Sequence, residues 1–82
     1  MTYSIELKPP AVKDLDALER ATARRVLEKI CVLENGLAGD VKRLTNFTPE
    51  YRLRVGDYRV LFEVEGDRDN IYRVKHRSRA YS

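Results

Sequence analysis

The sequence has little of what disulfides, metal sites and membrane spans require. Its 82 residues include one cysteine and one histidine, so an intrachain disulfide is impossible and no metal-ligand set exists at a credible spacing. The first fifteen residues lack a basic segment followed by an apolar one, and no uninterrupted apolar run approaches membrane-spanning length. A chain this short also has no room for a deep cofactor cleft. We therefore expect a soluble cytoplasmic protein that does not associate with a membrane and uses no metal or cofactor.

Charge is distributed unevenly over what we expect to be a single domain, residues 1–82. Residues 1–40 carry six Lys or Arg and seven Asp or Glu, whereas residues 41–82 carry ten and six. The second half is therefore net +4 against −1 for the first, although the whole chain is only +3. A basic half on a small chain favours a polyanionic partner, and solubility alone would also account for it.

The pattern of the N-terminal half indicates one strand and two helices. Alternating apolar residues predict a strand over residues 2–7, and the Pro-Pro pair that follows suits the start of a helix. Apolar residues then recur at helical spacing with a phase change, which predicts a break near Glu19–Thr22 and Thr22 as the N-cap of the second helix. Cys31 is expected to be a small core residue of that helix. Gly36 is a natural C-terminal stop.

The C-terminal half is typical of a sheet. Residues 37–50 are rich in turn formers, with a short pairing segment around VKRLT. Gly56-Asp57 separates two alternating runs and predicts a hairpin over residues 51–64. A second turn over residues 66–70 precedes a last strand over residues 71–76. The order β-α-α-β-β-β predicts an α+β domain, in which two N-terminal antiparallel helices pack on one face of a mostly antiparallel four-stranded sheet.

A two-residue turn determines which side chains share a face of the hairpin, because it fixes the register. The face predicted to lie under the helices is apolar: Tyr51, Leu53, Val55, Tyr58, Val60, Phe62 and Val64. The other face carries Arg52, Arg54, Arg59, Leu61, Glu63 and Glu65. In the last strand, Tyr72 and Val74 are predicted to face inward, and Arg73, Lys75 and Arg77 outward.

The register sets Arg54 directly opposite Arg59, which folding does not explain. Like charges facing each other on paired strands are unfavourable, by up to about 1 kcal/mol. A sheet face without helices must be polar, but mixed charge would then be expected at its centre. Arginine presents a planar fork that matches phosphate and stays charged at any working pH. The pattern favours a face that binds the phosphates of a nucleic acid. Glu63 and Glu65 could instead neutralise part of the cluster, so an ordinary solvent-exposed surface is the alternative.

Three segments together resemble a known family. They are KRL (Lys42–Leu44), YRLRVGDYRVLFEV (residues 51–64) and HRSRAY (His76–Tyr81), and in order and spacing they are similar to the RelE group of the RelE/ParE toxin superfamily. The predicted element order matches too, so the resemblance spans nearly the whole chain. It implies a toxin of a type II toxin–antitoxin system that enters the ribosomal A site and cleaves mRNA there. Its implied partners are the ribosome, mRNA and a cognate RelB-like antitoxin.

The resemblance also implies site residues. Carried over by position, the catalytic set is Arg52, Arg54, Arg59, Arg77 and Tyr81. Arg54 and Arg59 would stabilise the phosphorane formed when the RNA 2′-OH attacks. Arg77 would lie near the leaving group, and Tyr81 would stack on a splayed base. Further RNA contacts are expected from Lys42, Arg43, Arg73, Lys75 and Arg79.

The general base is left open by a departure from the family. The best-studied pattern has lysines where this chain has Arg52 and Arg54, and arginine does not release a proton near neutrality. His76 is the one side chain whose unperturbed pKa lies near neutrality, although strict alternation points it toward the helices. Glu63 is the second candidate base, because it is a carboxylate on the face that carries the arginines.

Two other functions stay open. A ParE-type toxin shares the fold and inhibits DNA gyrase by protein–protein binding, without catalysis. A plain RNA-binding module would bind RNA and not cleave it. The arginine cluster favours the endoribonuclease over the gyrase inhibitor, because binding to gyrase has no need for a phosphate-facing surface.

Overall fold

A computed structural model describes residues 3–36, 40–45 and 48–80. The elements are β1 (Ser4–Leu7), α1 (Pro9–Asp16), α2 (Arg20–Val32), a 3-10 helix (Leu33–Asn35), β2 (Val41–Arg43), β3 (Tyr51–Val55), β4 (Tyr58–Glu65) and β5 (Arg68–His76). The strands form one sheet in the order β1-β5-β4-β3-β2, in which β1 runs parallel to β5 and the other three pairs are antiparallel. The α+β class is confirmed. The sheet has five strands rather than four, because the short segment Val41–Arg43 pairs with β3.

The core lies between the sheet and both helices. Apolar side chains of α1 and α2 pack against β3, β4 and β5, and the largest fully buried ones are Phe62, Ile30, Leu33, Ile71, Val26 and Val60. Burial of each such side chain contributes roughly 1.5–3 kcal/mol. Cys31 is exposed, so the prediction that it belongs to the core is wrong. Successive helical residues are about 100° apart, and Ile30 rather than its neighbour Cys31 faces the sheet.

The helices begin without a capping side chain. Pro9 and Pro10 occupy the first turn of α1, where their missing N–H groups are not needed. α2 begins at Arg20 with Glu19 at its N-cap and no side-chain hydrogen bond there, so the prediction of Thr22 as N-cap is wrong. Gly36 ends the 3-10 helix with a φ of +131°, which agrees with its predicted role as a stop. No helix in the described ranges is long and apolar enough to span a membrane.

The predicted register of the first hairpin is confirmed. Gly56 has a φ of +57°, and the two-residue turn sets Val55 opposite Tyr58 and Arg54 opposite Arg59. The second turn is shorter than predicted. Gly66, with a φ of +62°, starts a two-residue turn, so β5 begins at Arg68 and not at residue 71.

A β-bulge changes the alternation of β5. Leu61 lies opposite Arg73 and Phe62 opposite Ile71, so Tyr72 is the extra residue. Ile71 and Val74 therefore face the core, and the prediction that Tyr72 faces inward beside Val74 is wrong.

α1 covers the part of the β5 edge that β1 does not reach. β1 pairs with β5 as far as Leu7 and Ile71. Beyond that point, Asp14 Oδ2 accepts hydrogen bonds from the Val74 N–H (2.9 Å) and from Arg73 Nε (2.8 Å), and Oδ1 accepts one from Arg73 Nη2 (3.0 Å). Burial acts to raise the pKa of Asp14, but the hydrogen bonds from Arg73 and Val74 outweigh it and hold the pKa below its usual value. These bonds fix the C-terminal half of β5 to α1.

Candidate functional site

The side of the sheet away from the helices carries a cluster of cations, which we term the arginine face: Lys42, Arg52, Arg54, Arg59 and Lys75. Arg54, Arg59 and Lys75 lie directly opposite one another across β3, β4 and β5. A second row runs from Lys42 through Arg52 to Leu61 across β2, β3 and β4. Residues opposite each other on neighbouring strands have Cβ atoms about 4.5–5.5 Å apart. The register of the backbone therefore brings these cations together.

Leu61 gives the arginine face an apolar floor. It is 2% exposed although it lies on the side without helices, and its cross-strand neighbours are Arg52 and Arg73. The Arg52 side chain is itself only 14% exposed. An arginine stem packs well on apolar surface while its head stays accessible, so Leu61 helps to hold Arg52 in place.

Arg59 is held by the backbone of the hairpin turn. Its Nη1 donates to the carbonyl oxygens of Gly56 (3.0 Å) and Tyr58 (3.1 Å). Both bonds use the same nitrogen, and a guanidinium has five N–H donors. Within the described ranges, the Nε and Nη2 donors of Arg59 have no hydrogen-bond partner and remain available to a ligand.

Arg52 and Arg54 share one carboxylate. Asp40 Oδ1 lies 3.4 Å from Arg52 Nη1, and Asp40 Oδ2 lies 3.9 Å from Arg54 Nε. The Asp40 side chain is 54% exposed. The pair with Arg54 is long and exposed on both sides, so it contributes little to stability. The pair with the less exposed Arg52 is longer than a charge-assisted hydrogen bond, so both arginines can exchange partners.

The tail brings Arg77 to the same end of the sheet as Arg59. The Arg77 N–H donates to the carbonyl oxygen of Asp57 at 2.7 Å, and Arg77 Nε lies 3.9 Å from Asp57 Oδ1. Asp57 belongs to the turn that also binds Arg59. Arg79 follows in an exposed turn, where its N–H donates to the His76 carbonyl oxygen. Tyr81 lies outside the described residues.

Two of the predicted RNA contacts are not members of the arginine face. Arg43 is opposite Tyr51, whose ring stacks on Phe62 at 5.5 Å in the core, so Arg43 belongs to the helix side of the sheet. Its guanidinium lies 3.8 Å from Glu50. The Arg73 guanidinium is held by Asp14, as described above, and we assign it a structural role.

Neither candidate base lies in the row of Arg54 and Arg59. His76 pairs with Tyr58 on the helix side, with the rings edge to face at 5.6 Å. Its Nδ1 is 2.9 Å from Ser78 Oγ and accepts the Ser78 N–H at 3.3 Å. Glu63 is on the arginine side, but four residues along β4 from Arg59 is a distance of about 13 Å. Among the described residues, no group of three or more His, Cys, Asp or Glu is arranged to hold a metal ion.

Sequence reasoning missed Asp40 and Asp14, two of the acids that bind the predicted cations. Asp40 immediately precedes the VKRLT segment, and its position depends on the pairing of β2 with β3. Asp14 reaches β5 only because β1 is short. No local sequence signal marks either contact.

Comparison with known proteins identifies the family. Residues 5–81 match the family described as "ParE toxin of type II toxin-antitoxin system, parDE". Over 47 residues the chain is 43% identical to Toxin RelE3 of Methanocaldococcus jannaschii, a match that covers 57% of this chain and 53% of that protein. The match thus spans about half the length of that curated relative.

Two solved structures are similar over most of the chain. The archaeal RelE–RelB complex from Pyrococcus horikoshii contains a chain with a TM-score of 0.79 and 35% identity, covering 98% of this chain and 100% of that one. In the RelB–RelE antitoxin–toxin complex from Methanococcus jannaschii the TM-score is 0.73 and the identity 32%, over 88% and 89% of the two chains. The chain therefore belongs to the RelE/ParE family of toxins of type II toxin–antitoxin systems.

Proposed function

We propose that the chain is a RelE-type endoribonuclease that cleaves mRNA in the A site of the ribosome, in the cytoplasm. The observation that carries this proposal is the Arg54–Arg59 pair with Arg52 beside it on a side of the sheet without helices. Folding gains nothing from opposing like charges, whereas a bridging phosphate would satisfy both. The identity to proteins named RelE, 43% over 47 residues and 35% over nearly the whole chain, supports the same function.

The reaction uses the RNA's own 2′-OH. The O2′–P bond forms as the P–O5′ bond breaks, the 2′-OH gives up its proton to water, and the departing 5′-oxygen takes one up from water. The products are a 2′,3′-cyclic phosphate and a 5′-OH. Negative charge accumulates on the phosphorane, and donors fixed on a rigid sheet need not reorganise as it does. Arg54 and Arg59 occupy such positions.

Arg77 is proposed to act at the leaving group. It is tied to the turn beside Arg59, where its guanidinium can neutralise charge on the departing O5′. Because neither His76 nor Glu63 lies in the arginine row, we propose that orientation of the message by the ribosome, rather than a titrating side chain of the toxin, drives the attack. The cleavage rate should then stay flat from pH 5 to pH 8, and a change of rate within that range would contradict this part of the proposal.

A primer-extension assay on ribosomes translating a defined message tests the proposed cleavage. Wild type is expected to produce new RNA ends, and Arg77→Ala is expected to abolish them. Arg68→Ala is the matched control, because Arg68 is an exposed arginine at the opposite end of β5. An intact message with active ribosomes and wild-type toxin would refute the endoribonuclease proposal, and RNA binding without new ends would identify a plain RNA-binding module.

The family match supports one alternative. Because residues 5–81 match the ParE toxin family, inhibition of DNA gyrase is the second candidate function. Loss of gyrase supercoiling activity on adding the purified chain, together with an intact message in the primer-extension assay, would favour it.

We also propose that a RelB-like antitoxin neutralises the toxin. Both archaeal structures described above are complexes of a toxin with its antitoxin. The arginine face and the edge strand β2 offer cations and a strand edge that an acidic, extended segment suits. Co-expression with the neighbouring gene product should restore growth and yield a complex that survives gel filtration.

A further inference from the structure

Asp40 binds the two arginines of β3 in the way a phosphate would. Its two carboxylate oxygens each face a different arginine, Oδ1 toward Arg52 (3.4 Å) and Oδ2 toward Arg54 (3.9 Å). Its carbonyl oxygen accepts the Arg54 N–H at 2.9 Å. The backbone of Asp40 is thus fixed to β3, whereas its side chain is exposed and able to rotate.

We propose that Asp40 is a built-in competitor for RNA phosphate: it occupies Arg52 and Arg54 in the free toxin and leaves when RNA binds. The proposal rests on the proposed function of these arginines as RNA ligands. Both ion pairs are longer than charge-assisted hydrogen bonds, which measure about 2.7–2.9 Å. A phosphate that binds at the shorter distance displaces the carboxylate, so Asp40 keeps the affinity for RNA low away from the ribosome.

The chain provides a matched control in Glu50. Its side chain is also 54% exposed, and it lies 3.8 Å from an arginine, Arg43, on the helix side of the sheet. Asp40→Asn and Glu50→Gln therefore remove the same charge from two equally exposed carboxylates, each paired with arginine. Only the first releases arginines of the arginine face. Asp40→Asn also keeps the backbone bond to Arg54, which preserves the fold.

The experiment measures binding of the full chain to a fluorescent single-stranded RNA whose 2′-O-methyl groups prevent cleavage. Asp40→Asn is expected to bind about 2- to 10-fold more tightly than wild type, the effect of releasing two long ion pairs. Its plot of log affinity against log salt should keep the wild-type slope, because RNA displaces Asp40 in the wild type and the same cations then contact phosphates in both proteins. Glu50→Gln should change the affinity for RNA less than about 2-fold, because it removes one exposed ion pair outside the arginine face.

Two further variants separate the possible outcomes. In an Arg52→Ala/Arg54→Ala background, Asp40→Asn should have no effect, because it acts through those arginines. Equal tightening in that background, or with Glu50→Gln, would show a general charge effect and overturn the proposal. Unchanged or weaker binding by Asp40→Asn and by a second variant, Asp40→Ser, would also overturn it, because Asp40 would then only position the arginines. If Arg52→Ala/Arg54→Ala bound RNA as wild type does, the proposed RNA face itself would be refuted.

Discussion

Arg54 and Arg59 form a like-charge pair that is unfavourable for stability, and the proposed function gives the same pair a role in catalysis. Replacing Arg54 with threonine removes the like-charge pair and its loose contact with Asp40, and it adds a good strand former. We expect the free energy of unfolding to rise by a few tenths to about 1 kcal/mol, while cleavage on ribosomes falls about 100-fold, as for loss of one oxyanion donor. Urea unfolding and primer extension measure the two effects.

The control for this prediction is Arg68→Thr, which removes an exposed arginine at the start of β5, away from the arginine face. It should leave cleavage unchanged. If Arg54→Thr kept wild-type cleavage, Arg54 would not stabilise the phosphorane, whatever its effect on stability.

Asp69 is a buried carboxylate with an unfavourable charge. It is 0% exposed, and neither carboxylate oxygen has a hydrogen-bond partner in the described part of the chain. Burial raises its pKa to about 6. Because this folded value lies above the unfolded value of about 3.9, the folded state holds the proton more tightly. The contribution to stability is therefore full below about pH 4 and is lost as the pH rises through 6.

Asp69→Asn should remove this pH dependence. At pH 7.5 the variant is expected to be more stable than wild type by roughly 1–3 kcal/mol, the equivalent of about two pKa units at most. Near pH 4 the variant and the wild type should have similar free energies of unfolding. Asp67→Asn, an exposed neighbour in the turn, serves as the control. Denaturant unfolding at both pH values measures the difference, and a difference that did not change with pH would contradict the explanation.

At the scale of elements, the contact between α1 and β5 depends on one side chain. Asp14→Ala removes two hydrogen bonds from Arg73 and leaves the Val74 N–H without its acceptor. The hydrogen bond from Val74 to the carboxylate contributes about 1.5–3 kcal/mol, whereas the Arg73 side chain is 43% exposed and its pair adds little. The loss should therefore destabilise the fold by about 2–3 kcal/mol at pH 7.

The pH dependence of this contact is opposite to that of Asp69. The pKa of Asp14 is lowered in the folded state, so its contribution is present above the unfolded pKa and is lost as the pH falls through the folded value. The difference in unfolding free energy between wild type and Asp14→Ala should therefore become smaller toward pH 3. Asp16→Ala, in the same helix and exposed, should show no such narrowing in thermal unfolding scans.

The elements also show what the sequence could and could not predict. The β3–β4 register followed from a two-residue turn with glycine, because a local feature determines it. The bulge on β5 did not, since Ile71 and Tyr72 are both apolar and either can face inward. The sequence indicates a pairing segment at β2 but does not identify β3 as its partner. It therefore cannot place Asp40 beside Arg52 and Arg54.

At the scale of the whole molecule, the two halves of the chain contribute different parts of the fold. The first half supplies both helices and covers one side of the sheet, whereas the second half, net +4, supplies every member of the arginine face. The sequence therefore predicted the cations and the side on which they gather. It could not predict that Asp40 pairs with Arg52 and Arg54, or that Asp14 binds Arg73, because each acid lies far from its arginines along the chain.

This arrangement predicts a strong effect of salt on RNA binding. If Arg52, Arg54, Arg59 and Lys75 each neutralise one phosphate of a single strand, log affinity should fall against log salt with a slope of about −2.8. Affinity would then drop roughly 50-fold between 50 and 200 mM salt. The double variant Arg52→Ala/Arg54→Ala should lower the slope to about −1.4. Fluorescence anisotropy with the 2′-O-methyl RNA measures both slopes. Binding that stayed flat with salt would show that the cations of the arginine face do not contact the phosphates, and the clustering of charge in the second half would then reflect solubility.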